Sequence, residues 1–518
     1  MKNEKHLTHH ASRIATGTTF SRILGYVRDM LVAHTFGAGL AADAFYAAYR
    51  IPNLLRRLLG EGSLSASFIP VLSEYLHTKS REETQELINV IFSTLAVVLA
   101  ALTAIGIFFS PQLVGIIAYG FTSDPDKLAL TVNLTQLMFP FVFFICLAAL
   151  ALGILNTLSA FFLPAIAPAS LSVAEIGFIL ALAPVLSPDN QIKGLAISVI
   201  LGGIGQFAVQ LPGIFKLGWR LSWRWNLKHP GLKRIGLLML PATVGLSVDQ
   251  VNAFVDTICA SFLEQGSITA LYYSNRVMQL PLAIFGLALA SVALPAMSKY
   301  VAEKNIDGLK ETLNFSIRIN TFVLVPAAAG LIAIGLPITQ VLFERGNFSH
   351  HATLLTYSAL VFYSLGLPAY ATVKVLASSF YAFQETGTPV KVAAVAMVVN
   401  AVLNIVLMRF MGVAGLALAT AAASWVNAGI LGYLLKKKIG PLGIRRIITT
   451  AVKTTLASAM MGACTYFIAF HYMARWPAAG MATALISGIA IFFAISHLLA
   501  IEERKPILAV IIKPKNDR

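Results

Sequence analysis

The chain has 518 residues, is 57% hydrophobic and only 12% charged, and carries a mean hydropathy of +0.76 with a formal net charge of +16. No ordinary soluble domain has that balance, and long unbroken apolar runs exclude the short alternating strands of a membrane barrel. The excess of Lys and Arg does not mark a nucleic-acid binder, because it gathers in alternate loops between apolar segments, the pattern that sets topology in a helical membrane protein.

The N-terminal stretch "MKNEKHLTHHAS" is polar and lacks the short apolar core and cleavage site of a signal peptide. A first helix follows, carrying Arg22, Arg28 and Asp29. The second contains "DAFYAAYRIPNLLRRLLGEGS" (43–63), an unusual density of charge for an apolar chain. Asp43, Arg50 and Arg57 stand seven apart and share one helical face, which Asn53 and Glu61 extend. Pro52 removes a backbone hydrogen bond and kinks this helix, so beyond it either Arg57 or Arg56 occupies that face.

Apolar runs then recur from "VIFSTLAVVLAALTAIGIFF" (90–109) to "GMATALISGIAIFFAISHLLA" (480–500). Read against the ~20 residues that a crossing requires, they give about fourteen spans. The eighth carries Arg276 in "YYSNRVMQLP". Basic segments such as 216–234, 299–310 and 436–446 follow even-numbered spans, while "FTSDPDK", "LSPDNQIK" and "MGVAG" follow odd-numbered ones. Both termini are therefore expected in the cytoplasm. Trp219, Trp223 and Trp225, within the first basic segment, read as an interfacial belt.

The sequence also repeats itself. "FIPVLSEY" (68–75) matches "ALPAMSKY" (293–300), and Pro164 matches Pro389, both at an offset of 225 residues. Arg50 and Arg276 are 226 apart, Asp29 and Asp256 are 227 apart. The expected architecture is an all-α polytopic membrane protein with two parallel six-helix lobes, residues 1–225 and 226–440, and two C-terminal helices with a cytoplasmic tail in 441–518. Parallel repeats of this kind are transporter architecture, with the binding cavity near mid-membrane.

A charge at mid-membrane costs at least ~2.5–3.5 kcal/mol, so the arginines of the first two helices must line an aqueous cavity or be paired. Asp29, Asp43 and Glu61 either share that cavity or neutralise a neighbouring arginine. Because arginines outnumber acids there, the cavity suits an anion, and guanidinium forks suit phosphate in particular.

"FSRILGYVRDMLVAHTFGAG" (20–39), "ADAFYAAYRIPNLLRRLLGEGSLSASFIPVLSEY" (42–75) and "YYSNRVMQLPLAIFGLALASVALPAMSKY" (272–300) resemble the MurJ (MviN) family of lipid II flippases, within the multidrug/oligosaccharidyl-lipid/polysaccharide exporter superfamily. The resemblance runs over essentially the whole chain. It implies an inner-membrane protein, not an enzyme, that moves undecaprenyl-pyrophosphate-linked disaccharide-pentapeptide from the inner to the outer leaflet by alternating access. Membrane potential or a cation gradient would drive it, consistent with the absence of a GxxxxGK[ST] phosphate loop.

The resemblance also assigns residues. Arg22, Arg28, Arg56 and Arg276 fall where the family's cavity arginines lie and would hold the pyrophosphate, while Asp29, Asp43 and Glu61 match its important acids. Asn275 and Gln279 replace an Asp and a Glu that flank the eighth-helix arginine in many members. Some members bind sodium in the second lobe; the matching positions are Asp256, Asn400, Asn404 and Thr420, with Asn404 in place of an acid. Asn400 and Asn404, one turn apart, would serve interhelical hydrogen bonding equally well. The last two helices would form a groove for the prenyl tail, for which Ala457, Gly462, Ala463 and Gly488 leave room.

Membrane lipids and lipid II are the expected partners. The alternatives are a related polysaccharide-lipid flippase or a cation-coupled exporter of the same superfamily, though an exporter of cations wants an acidic cavity. An intramembrane enzyme lacks a supporting His, Ser or Asp constellation. Cys146, Cys259 and Cys464 fall in apolar segments and read as small buried hydrophobes.

Overall fold

The computed structural model describes residues 2–473 and 477–512, with no strand among them. Two compact units emerge, residues 1–265 with 346–348, and 266–345 with 349–518.

In the first unit, α1 (Lys2–Phe36) is followed by α2 (Leu40–Leu55), which passes through a π-helical stretch (Arg56–Leu64) into α3 (Ser65–Thr78). Next come α4 (Arg81–Phe108), α5 (Ser110–Ile117), α6 (Pro125–Met138), α7 (Pro140–Thr157), α8 (Phe162–Ile166), α9 (Ala169–Ala181), α10 (Pro188–Ala208) and α11 (Leu211–Lys216). The long α12 (Pro230–Ser261) closes the unit, packing on α3 and the π stretch. Local signals account for several boundaries. Ser80 and Glu83 form a reciprocal capping box at the start of α4, and Asp124 caps α6 ahead of Pro125.

The second unit runs from α13 (Ser267–Pro281) through a π stretch (Leu282–Leu287) into α14 (Ala288–Ala302), then α15 (Ile306–Phe343), α16 (His350–Leu365), α17 (Leu367–Ala382), α18 (Gly387–Met411) and α19 (Val413–Ile439). The final helices are α20 (Ile444–Met473), α21 (Pro477–Leu498) and α22 (Arg504–Ile512). The backbone of α15 leaves helical geometry at Ile334 (φ −119°, ψ 17°). Pro337 follows at a distance where its ring collides with the preceding turn and removes a backbone donor.

The internal repeat extends into the cores. Phe68, Leu72, Ile88, Leu150, Ala151 and Leu155 are buried together in the first unit. Ala293, Met297, Leu313, Val375, Leu376 and Phe380, each 225 residues later, are buried together in the second. The π stretches recur as well, beginning at Arg56 and Leu282, each just beyond a helical proline, Pro52 or Pro281. Ser63 Oγ donates to the carbonyl of Leu58 five residues back (2.6 Å), a local expression of the wider turn. Such wide turns are common at functional positions.

Among the described residues ten helices are long and apolar enough to cross a membrane, or eleven if α16 and α17, bent by 43°, form one span. The sequence reading expects about fourteen. Three further long helical stretches lie outside those ten or eleven: α1, the run from α2 through α3, and α12. Charged residues interrupt the first two of these, and they are the stretches that carry the candidate site. Two smaller expectations are corrected. Trp219 is a core residue with the Arg81 guanidinium 5.4 Å over its ring, whereas Trp223 and Trp225 are exposed. Cys464 is exposed, whereas Cys146 and Cys259 are buried.

Candidate functional site

The charges of the first two helices are organised into distinct contacts. On α1, the Arg28 guanidinium grips the neighbouring Asp29 carboxylate, with Nη2 at 2.7 Å and Nε at 3.0 Å from the same oxygen. Its Nη1 reaches toward Glu175 on α9 at 3.6 Å, beyond hydrogen-bond length. Asp29 and Glu175 are buried at 1% and 5% exposure, and Arg28 is half-buried between them. Arg22, on the same helix, is exposed.

On α2, Asp43 is buried and pairs with Lys127 of α6 at 3.1 Å. The Lys127 ammonium also sits 4.1 Å from the centre of the Phe121 ring, a cation–π contact. Arg50 turns to α12, where Nε donates to Thr257 Oγ1 at 3.0 Å, beside Asp256. Arg56, in the π stretch, is half-buried and donates from Nε to Asn53 Oδ1 at 3.0 Å, while Arg57 is exposed. The side chain of Glu61 lies outside the described residues. Tyr49 precedes Arg50 on α2 and keeps its aromatic ring half-buried. That ring stacks on Phe45 and leans on Phe141, which fixes it.

In the second unit Arg276 is half-buried on α13, six residues before the π stretch. Asn275 and Gln279, which stand where many members have acids, hydrogen-bond to each other. Arg276 is thus flanked on its helix by a neutral, hydrogen-bonded amide pair. Asn400 and Asn404 are fully buried on α18, against α19, where Thr420 Oγ1 donates to the carbonyl of Leu416 at 3.1 Å. Asp256 belongs to the first unit, where it is half-buried.

The C-terminal pair packs on α15. Ala457, Met461, Phe492 and Ile501 bury Phe322. Three of the four small residues expected along a prenyl groove are used for packing instead. Ala457 is fully buried, Gly462 faces Ala329 and Ala333 of α15, and Gly488 abuts Thr465. Only Ala463 is exposed.

The contact partners of these charges that sequence reasoning missed are Glu175, Lys127 and Thr257. Glu175 was visible as a lone acid within "LSVAEIGFILAL", since an ionisable residue inside a span is a functional signal by default. Lys127 read as part of a polar loop, and nothing local marks Thr257.

Comparisons with known proteins converge. The family model described as "Lipid II flippase MurJ" matches residues 32–486. A probable lipid II flippase MurJ from Vibrio cholerae is 38% identical over 503 residues, covering 94% of this chain and 95% of that protein. The lipid II flippase MurJ of Burkholderia cenocepacia is 38% identical over 425 residues, covering 81% and 82%. A solved lipid II flippase MurJ in an inward closed conformation superposes with a TM-score of 0.79 at 29% identity, covering 94% of this chain and 98% of that one. An inward-facing multidrug-resistance transporter of the MATE family, 12% identical with a TM-score of 0.68, shares the fold over 84% of this chain and 98% of its own. On these grounds the chain belongs to the lipid II flippase MurJ family.

Proposed function

We propose that this protein translocates lipid II, the undecaprenyl-pyrophosphate-linked peptidoglycan precursor, from the inner to the outer leaflet of the bacterial inner membrane by alternating access. It is a transporter, not a catalyst. The observation that carries the reading is the buried charge cluster of α1 and α9, where the Arg28 guanidinium is held by Asp29 at 2.7 Å with Glu175 at 3.6 Å, in a chain of the lipid II flippase MurJ family. A guanidinium held there in a low-dielectric setting offers forked donors to a pyrophosphate.

The geometry suggests how Arg28 works. Its bond to Asp29 is short, which orients the guanidinium, whereas Glu175 at 3.6 Å is attracted without a full hydrogen bond. A phosphate oxygen arriving at the Arg28 guanidinium would make a charge-assisted hydrogen bond with a group that Asp29 already orients. Asp29 thus acts as an orienting partner, and Glu175 as a competitor that returns Arg28 to its resting pair once the headgroup leaves. In this reading Arg22, Arg50 and Arg276 supply further positive charge, Asp43 acts through Lys127, and Glu61 completes the acidic set.

A sodium ion at Asp256, Asn400, Asn404 and Thr420 is proposed from the resemblance alone. Three of those donors are neutral, so its binding should be weak. We also place both termini in the cytoplasm and count fourteen crossings, from the Lys/Arg bias of alternate loops.

The test is complementation of a strain depleted of its own lipid II flippase. The wild-type chain should restore growth and cell shape. Failure to do so, with the protein present in the membrane at normal level, would contradict the reading.

A further inference from the structure

A second basic site lies in the second unit, lined by none of the arginines discussed above. A cavity of about 510 Å³ opens where the N-terminal turns of α20 meet α15 and the connection after α21. Its charged lining is Arg318, Arg445, Arg446 and Lys453 against Glu502 and Glu503, an excess of two positive charges. The floor is built. Glu503, 4% exposed, holds Arg318 Nε at 2.8 Å and accepts from Thr450 Oγ1 at 3.0 Å. Lys453 Nζ donates to the carbonyl of Leu499 at 3.0 Å, which ties the same connection to α20. Arg445 and Arg446 are exposed at the mouth, in the first turn of a 30-residue helix whose positive end adds to their field.

An independent feature adjoins the cavity. Ile444, Ile448, Val452 and Leu456 are 46–56% exposed and stand four apart, so they form one apolar ridge along α20. Arg445, Thr449 and Lys453, which line the cavity, each follow a ridge residue by one position. A polar cradle and an apolar ridge thus lie on adjoining faces at one end of the C-terminal helix pair.

We propose that this cavity holds the phosphate of an anionic membrane phospholipid, whose acyl chain lies along the Ile444–Leu456 ridge. A soluble phosphate would need the cradle alone; the ridge favours the lipid. Basic pockets between membrane helices are suited to such headgroups. The bound lipid would fasten the C-terminal helix pair to α15 through Arg318 and Lys453.

The experiment uses the full-length purified protein in detergent, with phosphatidylglycerol as probe and native mass spectrometry as readout. Arg445→Gln with Arg446→Gln removes two exposed charges at the mouth. Lys436→Gln with Lys437→Gln removes two exposed charges from the last turn of α19, outside the cavity. The first double variant should lose about tenfold or more in phosphatidylglycerol affinity, and the second less than about twofold. Phosphatidylcholine should bind poorly to all forms. Equal loss in both double variants, or no loss in the first, overturns the site. Displacement of phosphatidylglycerol by inorganic phosphate at equal concentration would identify a soluble-phosphate site and overturn the lipid reading. Ile448→Ser with Val452→Ser should weaken long-chain phosphatidylglycerol more than a dihexanoyl analogue; equal weakening removes the ridge from the proposal.

Discussion

Lys127 reaches across from α6 to place its ammonium 3.1 Å from the Asp43 carboxylate on α2, and both side chains are buried. An acid on the charged helix α2 is therefore held by a lysine that sits 84 residues away in sequence. Breaking one side of such a pair leaves an uncompensated buried charge. Lys127→Met should destabilise the protein by about 3–5 kcal/mol, and Asp43→Asn combined with it should recover much of that loss. Thermal unfolding of the purified single and double variants in detergent measures it. Additive losses would mean the two groups do not act as a pair.

Arg28 should be indispensable. Arg28→Ala is expected to abolish complementation at normal protein level, and Arg28→Lys to restore it only in part, because lysine keeps the charge and loses the planar fork. Arg276→Ala should behave as Arg28→Ala does. Normal growth with both alanine variants would remove these side chains from the anion site.

Glu175→Gln separates competition from support. If Glu175 competes with the headgroup for Arg28 Nη1, the amide should tighten lipid II binding and slow turnover, since release loses its returning partner. Direct binding and transport rates on the same purified variant decide this. Weaker binding would instead make Glu175 part of the headgroup cradle.

The organisation of the protein was legible in its sequence to an uneven degree. Pro70 and Pro295 revealed a repeat that the buried pairs Leu72 and Met297, and Leu155 and Phe380, carry into the two cores. Helical periodicity put Asp43, Arg50 and Arg57 on one face because it depends only on their own helix. It could not foretell that Asp43 would meet Lys127 or that Arg50 would meet Thr257, since those contacts depend on which helices become neighbours. The same limit explains the small residues of the last two helices. Composition cannot tell a glycine that opens a groove from one that lets helices touch, and Gly488 lies against Thr465.

That distinction can be measured. Gly488→Leu should lower stability and impair long- and short-chain lipid substrates alike, because its side chain would enter the α20–α21 contact. Ala463→Trp, on an exposed position, should leave stability near wild type and affect only the long-chain substrate if the prenyl tail passes there. An unaffected Ala463→Trp variant would place the tail elsewhere.

Orientation follows from labelling. In a background lacking Cys146, Cys259 and Cys464, a cysteine at the exposed position 189 should react with a membrane-impermeant reagent from outside, and one at the exposed position 224 should not. Reaction at 224 in intact cells would invert the topology.

The most direct test of the central claim is transport by the purified protein. In proteoliposomes carrying lipid II initially in one leaflet, the fraction reached by an impermeant reagent on the opposite side should rise with the wild-type chain. With Arg28→Ala it should stay at the protein-free level, although the variant inserts normally. Equal transport by wild type and Arg28→Ala, or none by the wild type under an imposed membrane potential and sodium gradient, would contradict the account.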